Sequence, residues 1–180
     1  MTNTVIKNHS WFFIFIFALA LVGYLLSVDS LKGAGMAKLI LSIKLENTVY
    51  RSGEAVRALV SLTNSGTEEI VVNKRMAANF SNAPELVRDV AFTVKGPTDQ
   101  LLPFIARVNV RPVKHSDFII LSPGETIVMP YELGTLYDLR DSGRYSIYAE
   151  YQNAIDPDRN ITAWKGKLKS NEVVFEVIPP

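Results

Sequence analysis

The chain has 180 residues, 48% of them apolar, and its 19 basic and 18 acidic side chains leave a net charge of +1. That balance gives no electrostatic footprint for nucleic acid or another polyanion, and the length suits one ordinary domain plus an appendage. Cysteine is absent, which excludes disulfide frameworks, zinc fingers, iron–sulfur ligation and thiol nucleophiles.

Trp11-Phe-Phe-Ile-Phe-Ile-Phe17 opens an apolar run that continues to Leu26, and no charge falls between Lys7 and Asp29. A run of this length approaches the ~20 residues that a helix needs to cross a bilayer. Being apolar on every face, it is a poor candidate for a soluble core helix. The length favours an uncleaved signal anchor. The alternative is a signal peptide cleaved near Gly35-Met36-Ala37, releasing a secreted domain. Residues 1–30 are therefore expected to form a short cytoplasmic tail and a transmembrane helix. Residues 31–37, with Gly33 and Gly35, read as a flexible linker. Residues 38–180 are expected on the far side of the membrane, the periplasmic side in a bacterium.

Beyond the linker the period changes to two. Leu39, Leu41, Ile43 and Leu45 alternate with mostly polar residues, the mark of a half-buried strand. Asn47 to Gly53 reads as a turn. Val56, Ala58, Val60 and Leu62 form a second alternating strand, stopped by the turn signal Asn64-Ser-Gly66. Ile70-Val-Val72 is a short third strand, and residues 73–86 read as a loop. Val90, Phe92 and Val94 make the next strand, closed by Gly96-Pro97.

Leu101 to Phe118 is irregular, with Pro103 and Pro112 barring a central strand. Phe118 to Leu121 is a short strand before the turn Ser122-Pro-Gly-Glu125. Ile127, Met129, Tyr131 and Leu133 alternate again, with Pro130 placing this strand near an edge. In the central stretch, Tyr145, Ile147, Ala149 and Tyr151 alternate with Arg144, Ser146 and Glu150. Gln152 to Thr162 reads as a polar loop, and Trp164, Leu168, Val173, Phe175 and Val177 close the domain. The fold class expected is all-β, an antiparallel sandwich of two sheets.

Several of these stretches resemble known modules. Asp141-Ser-Gly143-Arg-Tyr145 resembles the start of strand F in immunoglobulin-like domains, with Ile147 where antibody domains carry a cysteine. The resemblance implies a structural corner built on Asp141, Gly143 and Tyr145, the tyrosine hydroxyl bonding back to the chain. Leu62-Thr-Asn64-Ser-Gly66 is similar to the second strand and turn of bacterial and fungal immunoglobulin-like domains. Leu121-Ser-Pro-Gly-Glu-Thr126, Leu136-Tyr-Asp-Leu139 and Ser142-Gly-Arg-Tyr145 resemble the non-catalytic β-sandwich of peptidyl-lysine (deuterolysin-type) metalloendopeptidases. That family's His-Glu-x-x-His helix has no counterpart here, where His9 and His115 are the only histidines. The resemblance therefore implies a scaffold and carries over no catalytic residue.

Candidate sites are few. Arg107, Arg111, Lys114 and His115, with Lys95 and interleaved valines, form a basic neighbourhood on an irregular edge. Such an edge is where a sandwich displays a partner-binding surface, against the plainer reading of a solvated face. His115 beside Asp117 has no partners that would make it a base or ligand. Asp156, Asp158 and Asn160 have the spacing that opens an EF-hand loop. Ile161 and Lys167 then stand where that loop requires glycine and glutamate, leaving a looser calcium site or a solvated turn. Asn79-Phe-Ser81 and Asn160-Ile-Thr162 are glycosylation sequons. Trp164 with Tyr131, Tyr137, Tyr148 and Tyr151 could stack on a sugar, although such rings are commonly core. The expected function is non-enzymatic, without metal or cofactor: a membrane-anchored module binding a protein of the envelope. The alternatives are a protease-inhibitor-like or pro-domain-like module and a carbohydrate-binding module.

Overall fold

A computed structural model describes residues 38–180, so the expected transmembrane helix and linker lie outside the described residues. Among the described residues the regular structure is strand, apart from two single turns of 3₁₀ helix at His115–Asp117 and Leu133–Thr135. No helix among them is long and apolar enough to cross a membrane.

The first sheet follows directly from the alternation. β1 (Leu39–Leu45) and β3 (Arg57–Asn64) pair antiparallel from Leu39 opposite Asn64 to Leu45 opposite Ala58. β7 (Thr126–Glu132) lies on the other side of β3, with Met129 opposite Val60. The odd residues of β1 and the even residues of β3 are buried, while the intervening side chains meet solvent to varying degrees. Each fully buried Leu, Ile or Val contributes about 1.5–3 kcal/mol relative to exposure, which locks the register. Pro130 sits on β7, an edge strand, where its missing donor is tolerated.

The second sheet is built on β8 (Gly143–Asn153), flanked by β5 (Val90–Lys95) on one side. On its other side β10 (Val173–Ile178) pairs with residues 143–147 and β9 (Gly166–Lys169) with residues 150–153. One long strand thus carries two short ones end to end. β4 (Ile70–Asn73) and β6 (Phe118–Leu121) form a separate antiparallel pair.

Two expectations are corrected. Asn47–Gly53 is not simply a turn: Val49–Arg51 is β2, a strand that runs parallel to β10, so the second sheet is mixed. Tyr50 explains it, being 1% exposed with its ring edge-on to Phe175 at 5.8 Å; one buried aromatic gives no periodicity to read. The polar loop expected from Gln152 begins later, because β8 continues through Asn153 and both residues are buried.

The inward side chains of these strands form a single core, with those of β7 and β9 packed against its margin. Ile147 and Ala149 have no exposed surface, and Tyr145 stacks on Phe175 with centroids 5.1 Å apart. The Tyr145 hydroxyl donates to the Asp141 carbonyl at 2.7 Å, the back-bond that the corner resemblance implies. Gly143 enters this corner at φ +139°, against Pro97.

Asparagines tie the pieces together. Asn64 Nδ2 donates to the carbonyls of Glu68 and Leu121, and its Oδ1 accepts from the Gly66 amide, closing the turn after β3. Between β9 and β10, the Asn171 carboxamide accepts from the Ile43 amide and donates to the Ile43 carbonyl, each at 3.0 Å. It thereby joins the second sheet to the free edge of β1.

Candidate functional site

Residues 102–114 form no strand, yet their backbone is held at intervals. The Leu102 amide donates to the Val94 carbonyl and the Ile105 amide to the Leu136 carbonyl, both at 2.9 Å. Prolines 103 and 112 keep the chain extended while withholding ladder donors. Alternate side chains turn inward: Phe104 packs edge-on to the Tyr137 ring at 5.7 Å, and Ala106 joins the core margin. Ile105, 52% exposed, and Arg107 face out between and after them, and Val108, where the alternation ends, is 37% exposed.

Two linked ion pairs anchor the far end. Asp89, 1% exposed, accepts from Arg75 Nε at 2.7 Å and Arg75 Nη2 at 2.9 Å. The Asn73 side chain and the Ala77 amide, each at 2.9 Å, complete its acceptor shell. Arg75 then reaches across with Nη1 to the Arg111 carbonyl. Arg111 in turn grips Asp117 with both terminal nitrogens, one at 2.7 Å, while the Lys114 amide donates to the same carboxylate at 2.7 Å. A chain of charge-assisted bonds therefore runs from the loop after β4 to the turn before β6.

The Arg111 guanidinium holds the Asp117 carboxyl down to about 2, helped by the Lys114 amide and opposed by partial burial. A carboxyl lowered in the folded state stabilises fully above its usual range near 3.8, and that stability disappears as pH falls through about 2. Because about half of the Arg111 side chain is in water, solvent screening keeps the contribution of the pair modest. Asp117→Asn should lose that contribution in urea denaturation at pH 7, and its difference from the parent should close as pH falls through about 2. A constant difference across that range would show that the charge is not responsible.

The expected basic edge is thus divided. Arg111 is consumed internally, and the His115 imidazole Nε2 lies 3.2 Å from Asp158 Oδ2 while remaining 65% exposed. Lys95 pairs with Asp99 at 2.9 Å. Among the described residues no carboxylate lies within ion-pair distance of Arg107 or Lys114, which leaves these two as the cations the edge presents.

The remaining candidates are absorbed by local structure. Asp158 Oδ1 accepts from the Asn160 and Ile161 amides, and Asp156 accepts from the Ala163 amide and pairs with Lys165. No cluster of three or more metal-ligating side chains occurs among the described residues. Asn79 is 6% exposed with its Oδ1 on the Phe80 amide, so that sequon is inaccessible in the folded chain; Asn160 is exposed.

All but one of the aromatic candidates face inward. Tyr137 and Tyr151 are buried, Tyr151 stacks on Trp164 at 5.8 Å, and Tyr131 donates to the Met76 carbonyl. Burial pushes the Tyr137 hydroxyl up to about 12 and those of Tyr131 and Tyr151 above the usual phenol range. Tyr148 stays at the surface under the Lys169 ammonium.

Sequence reading did not find Arg75 and Asp89. The available signal was Arg88-Asp89 placed directly before the buried run Val90-Ala-Phe92, since charge next to a fully apolar strand implies a partner. No protein-family model matches the chain, and no curated protein matches it.

Proposed function

We propose that the chain is an immunoglobulin-like β-sandwich, held at a membrane by its N-terminal segment, that binds a protein partner without catalysing a reaction. Two features support the sandwich reading: the sheets share one core, and the Tyr145–Asp141 bond has the form of an immunoglobulin corner. The extracytoplasmic location rests on the uncharged run between Lys7 and Asp29.

The observation that carries the binding reading is the segment Leu102–Lys114. Its backbone is fastened to β5, to the Leu136 turn and to Arg75, while Ile105, Arg107 and Val108 point outward. A segment ordered before contact loses little entropy on binding, so its exposed apolar and cationic groups can serve as an interface at low cost. Anchoring to the membrane would raise its local concentration near envelope partners.

Photo-crosslinking amino acids placed singly at positions 105, 107 and 108 of the full-length protein in its own membranes test this reading. One discrete adduct common to the three positions is expected, weakened by charge reversal at Lys114. Val174, 39% exposed on β10, is the control position. Absence of an adduct at all three, or equal labelling from position 174, would remove the segment as the interface.

A further inference from the structure

Arg75 and Arg88 lie in the same loop and both guanidinium groups are largely withdrawn from water, but only one has a counter-ion. The Arg75 side chain is 8% exposed and doubly bonded to Asp89. Arg88 is also 8% exposed, yet among the described residues no carboxylate lies within ion-pair distance. Its Nη2 donates to Gln152 Oε1, leaving Arg88 Nε and Gln152 Nε2 without hydrogen-bond partners. A buried guanidinium left in this state is costly unless an anion reaches it.

These two residues lie at a recess of about 190 Å³ on the outer face of the second sheet. β8 and β9 place Gln152 beside Lys167, and the Gln152 amide donates to the Asp89 carbonyl at 2.8 Å, which seats Arg88 against the sheet. Ser81 and Asn82, from the loop before β5, form another wall, and Glu150 and Lys167 also line the opening. The volume corresponds to roughly six water molecules. It admits the end group of an acid and excludes a sugar chain or a nucleotide. Two cations against one anion leave a single net positive charge around it. That charge suits a monoanion, whereas Glu150 would repel a more highly charged oxyanion.

We propose that this recess binds a carboxylate, with the Arg88 guanidinium and the Gln152 side-chain amide as its donors. Guanidinium and carboxylate are matched in plane and in donor spacing, and an amide beside them supplies a third bond. The site is separate from the segment Leu102–Lys114 and stands independently of it. Its ligand is the terminal group of a small organic acid or of a peptide chain.

The test is thermal unfolding of the full-length protein in non-ionic detergent, titrated with sodium acetate at constant ionic strength set by sodium chloride. A second arm compares an acetylated dipeptide carrying a free C-terminal carboxylate with its amide. At tenfold excess over the dissociation constant, the midpoint should rise by about 4 °C with the carboxylates, and not with the amide. Gln152→Glu places a carboxylate on Arg88, so it should raise the midpoint without ligand and abolish the response to acetate. Arg88→Met should abolish the response by removing the cation. Four results would each overturn the proposal: equal midpoints in acetate and chloride, an equal response to the amide, an undiminished response in both variants, or a larger response to inorganic phosphate than to acetate.

Discussion

Replacing Asp89 with alanine is expected to cost about 4 kcal/mol, because the change leaves the Arg75 guanidinium buried and uncompensated. The carboxylate takes donors from two side chains and one backbone amide, all within 2.9 Å. Removing it also strands Asn73, whose backbone exchanges two hydrogen bonds with the Tyr151 hydroxyl. The loss should therefore spread to the packing of β8. Asp89→Asn keeps an acceptor and should lose about half as much. Arg75→Met in the Asp89→Ala background should restore a large part, because it removes the orphaned charge. Urea unfolding of the full chain measures all three. A loss below about 1 kcal/mol for Asp89→Ala would mean that water reaches Arg75 and replaces the carboxylate.

The second large effect is expected at Gly143. Its φ of +139° belongs to a region that side chains rarely adopt, and a Cβ there would lie 2.7 Å from Pro97 Cβ and 2.9 Å from Pro97 Cγ. A proline ring cannot rotate aside, so the backbone of one corner or the other has to move. Backbone strain and overpacking together should bring Gly143→Ala to a loss of about 3 kcal/mol. Gly134, which has nothing within 4 Å of an added Cβ and no positive φ, is the control and should tolerate alanine. Adding Pro97→Gly, which removes both clashing atoms, should recover the steric part and leave the strain. If the single and double variants are equally stable, contact with Pro97 is not the cause.

Much of the fold was readable because alternation reports burial directly. Leu39 to Leu45 and Val60 to Leu62 announce which side of a strand faces inward, and the structure buries those side chains. The corner at Asp141–Tyr145 was legible for a different reason: its turn chemistry is local and bonds residues four apart. β2 was not legible, since three residues cannot display a period and Tyr50 owes its burial to Phe175, distant in sequence.

The candidate site was legible in composition only. The cations at Arg107, Arg111, Lys114 and His115 are visible in the chain, but whether each is free depends on partners that folding brings near. Arg111 is consumed by Asp117, six residues on, and its carbonyl is held by Arg75, 36 residues back. His115 meets Asp158 across the fold. The asymmetry between Arg75 and Arg88 is likewise invisible in sequence, where each is an arginine in a polar loop.

The Asn171 carboxamide on Ile43 has a consequence for colloidal behaviour. An edge strand with unsatisfied amides and carbonyls is a template on which a second copy can add a strand, and repeated addition builds fibrils. β1 is such an edge, rich in leucine and isoleucine. Asn171 occupies both polar groups of Ile43 on this strand with a side chain that imitates one peptide unit and ends there. At the opposite edge, Pro130 withholds a donor from β7. The first sheet is thus capped at both edges against strand addition by its own copies.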